Sequence, residues 1–364
     1  WKIIEDGFHP DRSEVSESLF SLANEYQGVR GFFEEGYSGE SLVGAYLNGI
    51  YEERFTEGMS YKGISNRLAF MVNTVNWLYT RVEIDGETLD LARSMFTDFH
   101  RELDFRSGEL RREFVWETES GKRLKLVFLR LLSMDVHELA CQQIRIVPQN
   151  FSGIVTLTMG LDFSIPHRAF KENFWNCARK ESGAILGVSK NIGHRLFAGM
   201  KIDAAAPATP IEAEKLIGQR LEVKLVEAQE SVVGKSVMLY STRNPDQALD
   251  DAWEQGMARM QTSAKSYEEV LDCNRQYWAN FWAKSDITID GDEDTQQGIR
   301  FCIFQIQQTY RGVTTGANIG AKGLTGEAYN GNTFWDTETY CLPFYLFSNP
   351  PAARALIEYR HQTL

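Results

Sequence analysis

The chain changes texture once, and that change restricts its fold more than any other feature of the sequence. From about Asn73 to Tyr240, short runs of alternating apolar and polar residues are broken by turns, and beyond Asn244-Pro245-Asp246 the spacing lengthens to that of helices. Strands and helices that follow one another, instead of alternating, imply an antiparallel β unit followed by a helical one and not a parallel α/β sheet. Asp85-Gly86 between Leu78–Ile84 and Thr88–Leu91 is a hairpin signal. Strands are then expected at Glu102–Phe105 and, past Ser107-Gly108, at Glu109–Glu117, with Glu119-Ser120-Gly121 turning into Arg123–Met134. Ile144–Val147, Gly153–Phe163, Arg220–Gln229 and Val232–Ser241 extend the series. Residues 1–243 are therefore expected to form an antiparallel β-sandwich.

Asn244 as a cap, Pro245 in the first turn and early acidic residues predict a helix start there, with helices running to about Lys284. Ala252, Trp253, Gly256, Met257 and Met260 keep helical spacing, and Val270, Leu271, Tyr277, Trp278, Phe281 and Trp282 continue it. Such a stripe is ordinarily core between units, so residues 244–290 read as a helical linker. A short β-like piece, Ile287-Thr288-Ile289, precedes Asp292-Glu293-Asp294-Thr295, which caps a helix with the apolar face Ile299, Cys302, Ile303, Ile306 and Tyr310. A third unit thus opens at residues 291–364. Its Gly/Thr/Asn-rich loop from Gly312 to Asn332 runs to roughly twenty residues, too long for a plain connector and hence a candidate binding loop. Helices are expected at about Asp336–Phe347 and Ala352–Leu364. So few helices cannot bury all their apolar faces, and the third unit is expected to continue beyond this chain.

Composition excludes several classes. The net charge of −12 and isoelectric point near 5.1 oppose binding of nucleic acid or anionic membrane, which need Lys and Arg against phosphates. No apolar run approaches the ~20 residues that span a bilayer. The first residues, Trp1-Lys2-Ile3-Ile4-Glu5-Asp6, show no secretory leader, which favours a cytoplasmic location. Cys141, Cys177, Cys273, Cys302 and Cys341 are scattered singly, against a disulfide framework or thiolate zinc site. The six histidines, including His167, show no ligand spacing, and the glycines form neither GxGxxG nor a P-loop. Neither a metal nor a nucleotide cofactor is expected.

The sixteen residues Gly323-Leu324-Thr325-Gly326-Glu327-Ala328-Tyr329-Asn330-Gly331-Asn332-Thr333-Phe334-Trp335-Asp336-Thr337-Glu338 closely resemble the signature of glycoside hydrolase family 65, which contains the maltose, trehalose, kojibiose and nigerose phosphorylases. A second stretch, Gly28-Val29-Arg30-Gly31-Phe32-Phe33-Glu34-Glu35-Gly36-Tyr37-Ser38-Gly39, is similar to the start of that family's β domain. Smaller matches at Val72–Trp77, Asp272–Asp286 and Asp292–Phe304 keep the family order, so the resemblance covers essentially the whole chain. It departs at Asn24-Glu25-Tyr26, where Glu stands in place of a permissive Gly and puts the local turn geometry in question. The resemblance implies a galactose-mutarotase-like supersandwich, a helical linker and the start of an (α/α)6 barrel left incomplete here. Members of the family also tend to be homodimers. Around Glu34–Gly39 and Phe174-Trp175 the pattern is most similar to the maltose phosphorylases.

Inverting cleavage of a glycosidic bond needs a carboxylic acid for the leaving oxygen and a nucleophile on the opposite face. In a phosphorylase inorganic phosphate is that nucleophile, used as a co-substrate without any cofactor. The resemblance implies that the general acid, a Glu, and the phosphate ligands lie beyond Leu364, so no catalytic residue is expected in this chain. It places Trp335 and Asp336 in the pocket for the transferred glucose, an indole wall beside a carboxylate that accepts hydrogen bonds from vicinal hydroxyls. Phe334 and Glu327 complete the expected substrate-binding set. Asp336 and Glu338, two apart on a helix, face different ways and make a poor acid/base pair; Glu338 is expected to be structural and Arg360 to be ion-paired. Three readings stay open: phosphorolysis of an α-glucosyl disaccharide, with maltose favoured; hydrolysis by water; and a non-catalytic carbohydrate-binding fragment.

Overall fold

In the computed structural model, which describes residues 1–55, 66–263 and 265–363, the strand Arg123–Leu132 is buried on both faces. Strand side chains alternate between faces. Leu124, Leu126 and Phe128 accordingly join one apolar cluster, whereas Val127, Leu129 and Leu131 join another with Tyr267, Val270 and Leu271 from a helix. The near-continuous apolar run in the sequence is therefore the mark of a sheet covered on both sides.

That strand belongs to a nine-stranded antiparallel sheet in the order Lys2–Asp6, Met95–Asp104, Glu109–Glu117, Arg123–Leu132, Leu139–Pro148, Ser231–Tyr240, Arg195–Asp203, Ala184–Ser189, Trp175–Glu181. A five-stranded antiparallel sheet, Ala208–Ala213, Leu216–Leu225, Gly153–Asp162, Thr80–Ile84 and Glu87–Thr88, shares its core: Val82, Val155, Leu157 and Leu221 pack in one cluster with Phe114, Trp116 and Ile144. The hairpin at Asp85-Gly86 forms as expected, both residues having positive φ. The first unit is thus mostly β-sheet, with helices after it.

Helix α1 (Ser13–Leu19) is tied to the first strand, its Ser16 hydroxyl donating to the Glu5 carboxylate at 2.6 Å. Helices α2 (Leu249–Thr262) and α3 (Tyr267–Ser285) cover the outer face of the large sheet. Gly256 lets α2 lie against Phe197, since a Cβ there would meet the ring at 2.2 Å. Helix α4 (Glu293–Thr309) begins at Asp292, whose carboxylate accepts the Thr295 N–H at 2.9 Å. Helices α5 (Leu342–Ser348) and α6 (Pro350–Thr363) follow the long loop and share a small core of Tyr310, Tyr345, Ala352 and Leu356. Leu364 lies outside the described residues.

Several expectations are corrected. Strands Trp175–Glu181, Ala184–Ser189, Arg195–Asp203 and Ala208–Ala213 were not anticipated, and the strand expected at Arg220–Gln229 runs Leu216–Leu225. Asn244 does not cap α2. Its side-chain oxygen accepts the Asp246 N–H at 3.0 Å and closes a turn, and the helix starts at Leu249 with Ala248 as cap. Ile287-Thr288-Ile289 is not a strand, because its backbone is hydrogen-bonded to the Gln296 side chain at Ile287 and Ile289. The buried face of α4 is rotated from the one expected: Cys302 is exposed, while Phe304 packs on Trp278 at 4.6 Å and Gln308 bonds the backbone of Ser21 and Ala23.

The Gly28–Gly39 stretch supplies a buried charge cluster. Arg112 bridges Glu34 at 2.9 Å and Glu35 at 2.7 Å, and Arg130 lies 3.5 Å from Glu34. Burial raises the Glu34 carboxyl, yet Arg130 and Arg112 outweigh it and hold its pKa below the ordinary value. These carboxylates are structural.

Candidate functional site

The long loop is fastened to the β unit at both ends. At its start the Glu25 carboxylate accepts the N–H groups of Arg311 (2.8 Å) and Val313 (3.1 Å), and Glu25 itself adopts the left-handed conformation, φ 70°, normally left to Gly. The substitution noticed in the sequence thus exchanges a permissive residue for a strained one that caps the loop. Further along, Arg30 donates to the Thr325 carbonyl at 2.7 Å, and Tyr51 donates to the Gly331 carbonyl at 2.7 Å. Leu324 is buried directly over Gly28, where a Cβ would sit 2.2 Å from the Leu324 carbonyl oxygen. The two signature stretches, Gly28–Gly39 and Gly323–Glu338, therefore touch, and the fit between them needs glycine.

Within the second stretch Tyr329, Asn330 and Gly331 all have positive φ (60°, 57° and 70°), a tight reversal whose strain is held by the Tyr51 bond and by Asn332 N–H donating to the Tyr329 carbonyl at 3.0 Å. The chain then turns outward through Phe334-Trp335-Asp336 into a π-helical turn, Thr337–Cys341, that leads into α5. Single π turns of this kind are common at functional sites. Arg360 of α6 clamps the turn: it donates to the Phe334 carbonyl at 2.6 Å and the Thr333 hydroxyl at 2.9 Å, and pairs with Glu338 at 2.7 Å. Both expectations about this pair meet in one contact, with Arg360 ion-paired and Glu338 its structural partner.

Trp335 is 69% and Phe334 40% exposed, and the Asp336 side chain is also on the surface. An indole face and a carboxylate on one rigid turn can stack on a pyranose and accept its hydroxyls. Tyr340, 67% exposed, lies with its ring 6.5 Å from that of Trp335 and widens the aromatic surface.

Glu327 is not gathered with these residues. Its side chain turns toward the β unit, where Oε2 accepts the Arg168 N–H at 2.7 Å and lies 3.4 Å from His167 Nε2. Burial is the main cause that pushes the Glu327 pKa up to about 7, and burial alone pushes His167 down to about 4. His167, read from the sequence as an ordinary histidine, is 1% exposed and stacks on Phe170 at 4.6 Å. Sequence reasoning missed it, and Arg168, for want of any motif around Pro166-His167-Arg168; only folding brings this loop to Glu327. Among the described residues no group of three or more His, Cys, Asp or Glu could hold a metal ion, and no helix is long and apolar enough to cross a membrane, which says nothing of a β-barrel.

Comparison with known proteins bears on both stretches. Residues 3–281 match the model for the glycosyl hydrolase family 65 N-terminal domain, and residues 300–364 match that for the family 65 central catalytic domain. Over its whole length the chain is 32% identical to a maltose phosphorylase of Bacillus subtilis and 29% identical to a kojibiose phosphorylase of Halothermothrix orenii, covering 49% and 47% of those proteins. A solved structure described as a candidate kojibiose phosphorylase from the human microbiome superposes on all of the chain with a TM-score of 0.95 at 38% identity, over 49% of its own length. The chain spans about half the length of the curated relatives it matches.

Proposed function

Because the chain belongs to glycosyl hydrolase family 65, we propose that the whole protein splits an α-glucosyl disaccharide with inorganic phosphate, giving β-glucose 1-phosphate and a free sugar with inversion. The observation that carries the reading is the clamped turn that presents Trp335 and Asp336, in a chain that aligns end to end with disaccharide phosphorylases. In this reading the supersandwich and its helical linker back the first helices of an (α/α)6 barrel, and Trp335 and Asp336 bind the glucose to be transferred. A phosphate oxygen bonds to C1 from the face opposite the leaving group, and the C1–O bond breaks. The departing oxygen takes its proton from a carboxylic acid of the whole protein. Phosphate is a co-substrate, and no cofactor takes part.

Asp336 acts by accepting two sugar hydroxyls, bonds that an amide cannot make in the same way. Asp336→Asn is expected to lower kcat/KM about 100-fold or more, in line with loss of a charge-assisted bidentate contact of about 3 kcal/mol. Maltose is the favoured substrate, on the likeness of Glu34–Gly39 and Phe174-Trp175 to that branch of the family. The test is to incubate the whole protein with phosphate and, separately, maltose, kojibiose, trehalose and nigerose, and to read the products by NMR. One sugar yielding the β-anomer of glucose 1-phosphate supports the reading. The α-anomer, or no sugar phosphate from any of them, refutes it.

A further inference from the structure

A cleft of about 260 Å³ lies at the seam between the β unit and the start of the long loop, and neither Trp335 nor Asp336 lines it. Tyr26, the His137 loop, residues 241–243 after the strand Ser231–Tyr240, and the loop start at residues 311–314 enclose it. The Tyr26 and His137 rings lie 4.8 Å apart and form an aromatic wall. Arg243, also in the lining, adopts the left-handed conformation, with φ 62°. A Cβ makes that conformation costly, and Gly would take it freely. Strained residues of this kind gather at ligand clamps. What Arg adds at this position is a guanidinium.

That guanidinium has no ion pair and no hydrogen bond among the described residues; it lies 5.8 Å over the Tyr26 ring. It is half-buried, and its nitrogens are open to the cleft and not sealed in the interior. The other charges nearby are matched. Glu25 accepts the Arg311 and Val313 N–H groups and lies 3.8 Å from the Arg311 guanidinium, which in turn donates to the Met134 carbonyl at 2.6 Å. Glu138 stands between His137 at 3.4 Å and Arg259 at 3.5 Å. Burial is the main cause that holds His137 below its ordinary pKa; Arg311, Arg243 and Arg259 add to it and Glu138 opposes it, so the ring is neutral near pH 7. One positive charge is left over, in a chain of net charge −12.

We propose that this cleft binds a small monocarboxylate, its carboxylate paired with Arg243 and its short apolar body against Tyr26 and Val313. The planar fork of a guanidinium matches a carboxylate through two parallel hydrogen bonds. A single surplus charge balances a monoanion. A doubly charged phosphate would meet the Glu25 and Glu138 carboxylates with only one free cation to offset them. The space falls just below the ~300 Å³ at which sites for drug-sized ligands begin, so the body is small. An occupant would touch the β unit, the connection into α2 and the start of the long loop at once. The inference stands apart from phosphorolysis, since a protein that acted with water would carry the same cleft.

The test is calorimetric titration of the whole protein with butyrate, alone and with inorganic phosphate as competitor. One butyrate site per chain is expected, weakened at least tenfold by Arg243→Gly and by Val313→Trp, and not displaced by phosphate at equal concentration. Arg243→Gly removes the guanidinium while easing the backbone at φ 62°. Val313 is 59% exposed at the cleft wall, so Val313→Trp fills the space without disturbing a buried group and decides the matter if Arg243→Gly does not fold. Absence of butyrate binding, binding indifferent to either substitution, or displacement by equimolar phosphate would each overturn the proposal.

Discussion

At Glu25 a single side chain sets a conformational cost against two capping bonds. A left-handed φ costs a non-Gly residue ~1–2 kcal/mol, and a hydrogen bond to a charged group contributes about 1.5–3 kcal/mol. Glu25→Gly, which relieves the strain and frees the Arg311 and Val313 N–H groups, is therefore expected to lower stability by about 1–3 kcal/mol in denaturant unfolding. A gain would mean that strain dominates. The oddity of Glu25 was legible in the sequence, but its role was not, because its partner lies 286 residues away. Glu327 was legible as a loop carboxylate and no further, for the same reason: the Arg168 N–H that it accepts is 159 residues distant. Burial raises Glu327 from 4.5 to about 7, so the folded state holds an extra proton there and stability falls as pH rises through that window. His167, lowered from 6.5 to about 4, has the opposite effect: its contribution is present above pH 6.5 and lost as pH falls toward 4. Glu327→Gln removes only the first slope. Its melting temperature is expected to climb with pH between about 4.5 and 6.5 more steeply than that of the unaltered protein.

At the scale of elements, the joint between the motif turn and α6 is the sensitive one. Arg360 holds Phe334, Thr333 and Glu338 together, so Arg360→Ala should let the Trp335–Asp336 turn loosen. The expected outcome in steady-state kinetics is a KM for the disaccharide raised tenfold or more, about 1.4 kcal/mol; an unchanged KM would show that the turn is held without Arg360, by the Tyr51 bond and by the Thr337 hydroxyl, which donates to the Ile319 carbonyl at 3.1 Å. Several elements with one buried and one exposed face, or two buried faces, could be read from the sequence, although the largely buried Ala184–Ser189 and Arg195–Asp203 were not. Trp175–Glu181 and Ala208–Ala213 could not, because each lies at a sheet edge with most side chains in solvent, where no apolar period exists to detect. Asn244 misled for another reason: the same side chain that caps helices also closes turns, and here the turn prevails.

For the molecule as a whole, stability depends on charges sealed between the sheets as well as on apolar area. Removing Arg112 leaves Glu34 and Glu35 together, with Arg130 as the remaining salt-bridge partner of Glu34 among the described residues, and Arg112→Ala should destabilise the fold by about 3–5 kcal/mol, measured by denaturant midpoint. The central proposal concerns the whole protein: that phosphate, not water, takes the glucosyl group. It is tested most directly by measuring sugar release from the preferred disaccharide with and without inorganic phosphate, alongside glucose 1-phosphate. The account predicts equal amounts of free sugar and glucose 1-phosphate when phosphate is present, and no cleavage without it. Glucose released at the same rate in both cases would contradict it.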